Sequence, residues 1–314
     1  MATRVIFMGT PEFAVPGLEA LIRSSYEVVA VYTQPDRKAG REQRIVYSPI
    51  KELALSQGLD VVQPESLKNR TAVERLANFV PDLIVVAAFG HILTPEILAV
   101  PRFGCLNVHP SILPRYRGAS PVATAILRGD DVTGVTIMLM DIGLDSGPVL
   151  NQRTVSVLDE DTTGSLTGKL SQAGAELLIE TLPLWREGEI APQSQDESQA
   201  TYTRVIVKEE GEIDWRFPAL ELWRRARAFA PWPGCYTRWQ GKRLKINEVV
   251  PLTGEQSGGA GKVIALPQPA PAIVGVETGD GVLGLLRVQL AGKREMSGEE
   301  FIRGQRDFVG SLLL

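Results

Sequence analysis

Residues 82–88, DLIVVAA, form an almost unbroken apolar run with no polar alternation. A strand with one wet face alternates polar and apolar residues. A continuous run needs cover on both faces, the condition of a parallel sheet sandwiched between helices. The neighbouring sequence agrees. Arg4–Met8 (RVIFM) reads as a first buried strand, Gly9-Thr-Pro-Glu-Phe as a turn, and the apolar periodicity beyond it as a helix to about Arg23. Strand, glycine turn and helix in that order are the unit of a doubly wound α/β sheet. The pattern predicts further strands at 27–33, 59–62, 105–108 and 134–140, with a hairpin partner at 149–157. Helices are expected at 48–57, at 70–79 and within 163–185. A Rossmann-like, mostly parallel sheet follows. The turn GTPEFA lacks G-x-G-x-x-G, and Pro11 fills the space where a pyrophosphate would approach the backbone, so no dinucleotide is expected.

The second half reads differently. Residues 191–201, APQSQDESQAT, are polar and aperiodic, and 191–207 is read as a linker between domains at 1–190 and 208–314. Past it come a basic helix at 219–230 and short apolar stretches at 235–239, 243–250, 261–265, 272–277 and 282–290, separated by turn signals. That spacing predicts a small, OB-like β-barrel. Charge divides along the same line. Residues 1–207 carry 18 Lys and Arg against 24 Asp and Glu, whereas 208–314 carry 15 against 13. Between Arg216 and Lys245 there are eight basic residues and one acid, Glu221. Such a stretch is either a solvated face or a surface for a polyanion, and charge alone does not choose. The same holds for residues 34–44 (QPDRKAGREQR), a basic segment longer than an ordinary βα loop.

Two cysteines, Cys105 and Cys235, with no CxxC spacing argue against a disulfide framework or a structural zinc site. The chain has no 18-residue apolar stretch, and MATRVIFMGT is not a secretory leader, so a cytoplasmic location is expected.

The chemistry gathers in GCLNVHPSILPRYRGASP (104–121) and GVTIMLMDIGLDSG (134–147), joined by a gap read as polar. Asn107 and His109 alternate by two on an extended segment and point to one side. Pro110 and Pro114 stiffen the turn behind them. Asp145 arrives in a glycine-flanked loop. An amide can donate to an oxyanion, an imidazole can donate a hydrogen bond or a proton, and a carboxylate can hold the imidazole or take a proton through water. With no serine or cysteine placed as nucleophile, the trio suits acyl transfer to an amine that itself attacks. A His–Asp metal site is poor with two histidines in the chain, and Ser111 lacks a G-x-S-x-G elbow. Simple capping of strand ends remains an alternative on these residues alone. FGHIL (89–93) ends a strand and is a candidate pocket wall, with His91 the second histidine.

The run Asn107-Val-His109-Pro-Ser111-Ile-Leu-Pro114, Arg115-Tyr-Arg117-Gly118 behind it, and Asp145 in DIGLDSG resemble the 10-formyltetrahydrofolate-dependent formyltransferases. The resemblance implies catalytic roles for Asn107, His109 and Asp145. It implies folate contacts from Ser111, Ile112, Leu113 and Pro114, with the FGHIL turn and the DIGLD loop flanking the pterin. It calls for no metal. Segments 9–21, 32–41, 47–54, 211–215, 229–234 and 291–304 look like the members that act on initiator methionyl-tRNA. For these, the resemblance brings Arg41 of the AGR loop to the tRNA acceptor end and makes the basic barrel a tRNA-holding domain of a monomeric enzyme. Glu42-Gln43 replaces the glycine and lysines that commonly follow the loop arginine, and Ile112 replaces the usual leucine. An amino sugar nucleotide as acceptor, or a noncatalytic RNA-binding role, are the rival readings.

Overall fold

A computed structural model of the chain describes residues 2–39, 44–254 and 258–314. They cluster into two compact units. The first comprises 1–121, 132–156 and 166–204, and the second 122–131, 157–165 and 205–314.

The first unit is built on strands β1 (Arg4–Gly9), β2 (Glu27–Tyr32), β5 (Val61–Val62), β6 (Leu83–Ala87), β7 (Cys105–His109), β9 (Val132–Leu139) and β10 (Val149–Ser156). Between these fall a short hairpin, β3 (Arg37–Ala39) and β4 (Arg44–Val46), and the two-residue β8 (Arg117–Gly118). The seven main strands lie in the order β10-β9-β7-β6-β1-β2-β5. The five from β7 to β5 run parallel, β9 runs antiparallel to β7, and β10, antiparallel to β9, runs with the five again. From β1 the chain moves outward to β2 and β5, then returns to β6 on β1's other side. That reversal opens a crevice at the carboxyl ends of β1 and β6. The apolar run anticipated at 82–88 is β6 itself, all five residues buried.

Helices α1 (Val15–Ile22), α2 (Pro49–Ser56), α3 (Arg70–Ala77) and α4 (Pro95–Leu98) follow in the first unit. Ser48 and Asn69 cap α2 and α3 by accepting from the backbone N–H three residues on. Helix α6 (Thr163–Arg186) buries Leu166, Leu170, Gly174, Leu177 and Leu178. A Cβ on Gly174 would lie 2.8 Å from Cγ1 of Val108, so glycine lets α6 press against the strand that carries Asn107 and His109. The gap read as polar is in fact α5 (Pro121–Arg128), with Val122, Ala123, Ala125 and Ile126 buried.

The second unit holds α7 (Ala219–Ala228), α8 (Gly298–Gly304) and antiparallel strands β12 (Cys235–Trp239), β13 (Lys242–Leu252), β14 (Val263–Ala265), β15 (Val274–Glu277), β16 (Val282–Leu290) and β17 (Met296–Ser297). The order is β12-β13-β16-β15-β14, with β17 on β16. Residues 310–314 hydrogen bond to both outer strands. Val263 N donates to Ser311 O at 2.9 Å, and Arg238 N donates to Leu314 O at 3.1 Å. The sheet edges are thereby bridged, as a small barrel requires. Inside, Trp239, Phe301 and Phe308 meet edge to face with centroids 4.8–5.7 Å apart.

Candidate active site

Asn107 and His109 occupy the last turn of alternation in β7, and both are buried. Asp145 follows β9 in a loop where it takes φ +50°, a conformation a residue with a Cβ adopts only when its surroundings impose it. The three side chains converge. Asn107 Nδ2 lies 3.5 Å from Asp145 Oδ1, and His109 Nδ1 lies 3.6 Å from Asp145 Oδ2. The Gly118 N–H donates to Asp145 Oδ2 at 2.8 Å.

His109 Nε2 lies 3.1 Å from the Tyr116 carbonyl. A carbonyl only accepts, so Nε2 carries the proton and the lone pair of the neutral ring sits on Nδ1. Burial pushes the His109 pKa down. The Asp145 carboxylate and the Tyr116 carbonyl pull the other way, and burial prevails. Two acceptors, Nδ1 and the Asp145 carboxylate, therefore face each other across 3.6 Å, with a place between them for one proton.

A cavity of about 420 Å³ opens over the trio. Ala88, Phe89, Gly90 and His91 wall one side, and Met140 and Pro110 others. His91 packs edge to face on Phe89, and its buried Nε2 has no hydrogen-bond partner among the described residues. An orphaned polar atom in an otherwise apolar wall fits a ligand with a hydrogen-bonding heteroaromatic edge. Next along the chain to lining residues stand exposed apolar side chains, Ile92 after His91 and Leu144 before Asp145, with Ile142 two residues past Met140, all beyond half accessibility. Across the Ala88–Gly90 wall lies a second cavity of about 500 Å³, bounded by Thr10, Gln34, Val46, Tyr47 and Ser48.

Of the remaining sequence-derived site residues, Ser111 to Pro114 sit behind the cleft rather than in its lining. Ser111 is buried, and its hydroxyl donates to Arg115 O at 2.6 Å. Leu113 is also buried, its N–H donating to Thr136 Oγ1 and its carbonyl accepting from Gln152 Nε2. Ile112 and Pro114 are half-buried. Arg41 lies outside the described residues. Both thiols are buried, which pushes the Cys105 and Cys235 pKa values up to about 12 and leaves neither a thiolate nucleophile. Among the described residues no group of three or more His, Cys, Asp and Glu side chains could hold a metal ion.

Sequence reasoning missed the support behind Asp145. Residues 195–203 fold over the 116–120 stretch, and β11 (Tyr202–Thr203) pairs with β8 in parallel. The Tyr116 N–H donates to Thr201 Oγ1 at 2.8 Å, and the Gln195 amide reaches the Asp145 carbonyl. The partners stand 50 to 85 positions apart, so no local spacing could have signalled the contact.

On the second unit, β12 and β13 present Tyr236, Arg238, Arg243 and Lys245 on one face, with Arg238 directly opposite Arg243. Arg243 lies over the Tyr236 ring, 3.4 Å from its centroid. Arg238 Nε also lies 3.6 Å from Glu212 Oε1. Elsewhere too the basic stretch is tied internally. Arg216 pairs with Asp214, Arg225 with Glu221, and Arg227 donates to two backbone carbonyls.

A crevice at a topological switch point, an Asn–His–Asp trio and an antiparallel second unit agree with what comparison with known proteins finds. The formyl transferase model matches residues 3–182 and the formyl transferase C-terminal domain model matches 205–306, and the chain belongs to this family. Methionyl-tRNA formyltransferase of Chloroflexus aurantiacus is 46% identical over 96% of both chains. That of Caldanaerobacter subterraneus is 45% identical over 99% of both, and that of Methylococcus capsulatus 48% identical over 95% of this chain and 96% of its own. Among solved structures, the sugar 3N-formyl transferase WlaRD superposes with a TM-score of 0.65 at 17% identity, covering 94% of this chain and all of its own. HypX of Aquifex aeolicus, solved with tetrahydrofolic acid, gives 0.64 at 18% over 98% of this chain, which spans about half of HypX (48%). These two establish the shared fold.

Proposed function

We propose that the chain transfers the formyl group of 10-formyltetrahydrofolate to the α-amino group of methionine carried by initiator tRNA. The observation that carries this reading is the convergence of buried Asn107 and His109 with half-buried Asp145, in a chain that aligns nearly end to end with methionyl-tRNA formyltransferases.

The amine nitrogen attacks the formyl carbon, and the carbonyl oxygen gains charge as the new C–N bond forms. Asn107 donates its amide N–H to that oxygen. The proton leaving the nitrogen is taken up between Asp145 and Nδ1 of His109, and the imidazolium so formed adds its charge to oxyanion stabilisation. Cleavage of the bond to N10 of the folate then returns a proton to N10, so tetrahydrofolate and formylated methionyl-tRNA leave in balance. The pterin lies against the Phe89–His91 wall, with the exposed Ile92, Ile142 and Leu144 nearby in the chain to cover it. From the Ser111–Pro114 turn, Ile112 and Pro114 are near enough to the surface to touch the folate, while Ser111 and Leu113 fix the turn's shape. The second cavity, lined by Gln34, Pro35 and Arg37, gives the aminoacyl end of the tRNA a place next to the reacting centre, and Arg41 is assigned to the acceptor stem.

Residues 1–190 would then form the catalytic domain and 208–314 the tRNA-holding domain, joined by 191–207. Tyr236, Arg238, Arg243 and Lys245 support that division. Like charges placed opposite each other across a sheet cost stability; Glu212 offsets part of that cost at Arg238, and an anionic partner would offset more. We read the enzyme as a cytoplasmic monomer. No helix among the described residues is long and apolar enough to cross a membrane.

The test offers the protein 10-formyltetrahydrofolate with methionyl-tRNA, free methionine or an amino sugar nucleotide. Formyl transfer to methionyl-tRNA alone is expected. Transfer to the sugar instead would move the acceptor, and binding of tRNA with no transfer to any acceptor would overturn catalysis.

A further inference from the structure

We propose that Arg117 and Gln195 are positioning residues for Asp145, acting through the segment 195–203. The inference rests on the reading of Asp145 as a proton acceptor.

Arg117 is 1% exposed and is the largest fully buried side chain of the described residues. A guanidinium out of water is costly unless its donors are met. Here Nη1 and Nη2 grip the Glu197 carboxylate at 3.0 and 2.7 Å, Nε and Nη2 reach Gln195 Oε1 at 3.1 and 2.9 Å, and Nη1 also reaches the Tyr202 hydroxyl at 3.2 Å.

The consequence falls on Gln195. Arginine only donates, so Gln195 must turn its oxygen to it and its NH₂ the other way. On that other side are the carbonyls of Asp145, at 2.8 Å, and Gly147, at 2.7 Å. The chain neighbour of Arg117, Gly118, grips the Asp145 carboxylate. Asp145 is therefore held at its main chain through Arg117 and Gln195, and at its side chain by the residue after Arg117. That double grip is what keeps a non-glycine residue at φ +50° with Oδ2 turned to His109. Glu197 sits on the exposed side of the clasp and balances the buried charge.

A strap that merely stabilised the fold would give the same hydrogen bonds, so the test separates the two roles. Gln195→Glu keeps the length and the oxygen that Arg117 needs, but sets a carboxylate against two carbonyls. Gln195→Met keeps the volume and loses both contacts. Gln195 is half-buried, so both variants are expected to fold. Each should lose about 10- to 100-fold in kcat, as displaced reacting groups do. KM for folate and for tRNA should stay within about threefold, since ground-state binding is untouched. Wild-type kcat in Gln195→Glu would overturn the proposal, as would a loss that appears only in KM or only as a lower unfolding midpoint. Asp145→Asn, measured alongside, separates the two readings. A fast Asp145→Asn overturns the role of Asp145 itself, whereas a slow Asp145→Asn beside a normal Gln195→Glu overturns only the positioning.

Discussion

At the end of β7, Asn107 and His109 are buried, with half-buried Asp145 brought to them by the loop after β9, whereas on the outer face of β12 and β13 Arg238 and Lys245 stand in water, with Arg243 laid across Tyr236. Both regions are polar, and both face a substrate in the proposed reaction, yet they are built on opposite physical terms. Inside, a charge or a lone pair is worth a great deal because little screens it, and each group fixes the state of the next. Outside, solvent and salt screen every charge, so contributions are small and close to independent. Precision therefore belongs to the first region, and capture of a large anion to the second.

Three substitution sets press on this difference. The largest effect belongs to the trio. Asp145→Ala and His109→Ala should each lower the single-turnover rate by about 10²–10⁴-fold, the range of a positioned proton-transfer group. The double variant should lose little more than the worse single one, because the two hold one proton between them. Near-normal single-turnover rates in either variant would place the chemistry elsewhere.

An intermediate effect concerns pH. Burial holds the His109 pKa below its usual value. As pH falls below about 6.5, the ordinary histidine pKa, the unfolded chain takes up a proton that the folded ring resists. The stability contributed by the neutral ring is thus complete above that pH and is lost as pH falls toward the folded-state value. Unfolding midpoints of wild type should drop more steeply from pH 7 to the acid side than those of His109→Gln. Parallel profiles would show that the ring does not titrate between the two states.

The smallest effect belongs to the outer face. Arg243→Ala and Lys245→Ala should each weaken tRNA affinity modestly, alike for all sequences, and flatten the dependence of log affinity on log salt by about one unit apiece. Folate binding should not change. A loss confined to one tRNA sequence, or a loss of kcat, would make that face part of the precise machinery after all.

The legible parts of the molecule are those where local pattern and tertiary environment agree. LIVVA could only be a strand covered on both faces, and β6 is one. The second-unit strands follow from short apolar runs between glycine and proline turns. Asn107 and His109 could be placed on one side of β7 because strand geometry puts every second residue there. Illegible were features whose partners lie far along the chain. Nothing around Arg117 announces that it is buried, because its neutralising partner is Glu197. The polar stretch 191–201 lacks periodicity because it packs on polar backbone rather than on an apolar core: Gln193 on Val149, Gln195 on the Asp145 and Gly147 carbonyls, Thr201 on Pro114 and Arg117. Ser111 carries a motif position, yet its hydroxyl is spent inside the turn.

The grip on Asp145 is made largely of main chain, and this bears on which mutations the site can absorb. A carboxylate held by the Gly118 N–H does not depend on the side chain of the next residue, so a change at the exposed Ala119 alters the cavity lining without releasing the grip. Gly118 itself has no such freedom. It sits at φ +106°, and a Cβ there would come within 2.7 Å of the Thr203 carbonyl, driving the strap off the loop it holds. Tolerance and intolerance thus stand side by side in sequence, set by which atoms do the holding.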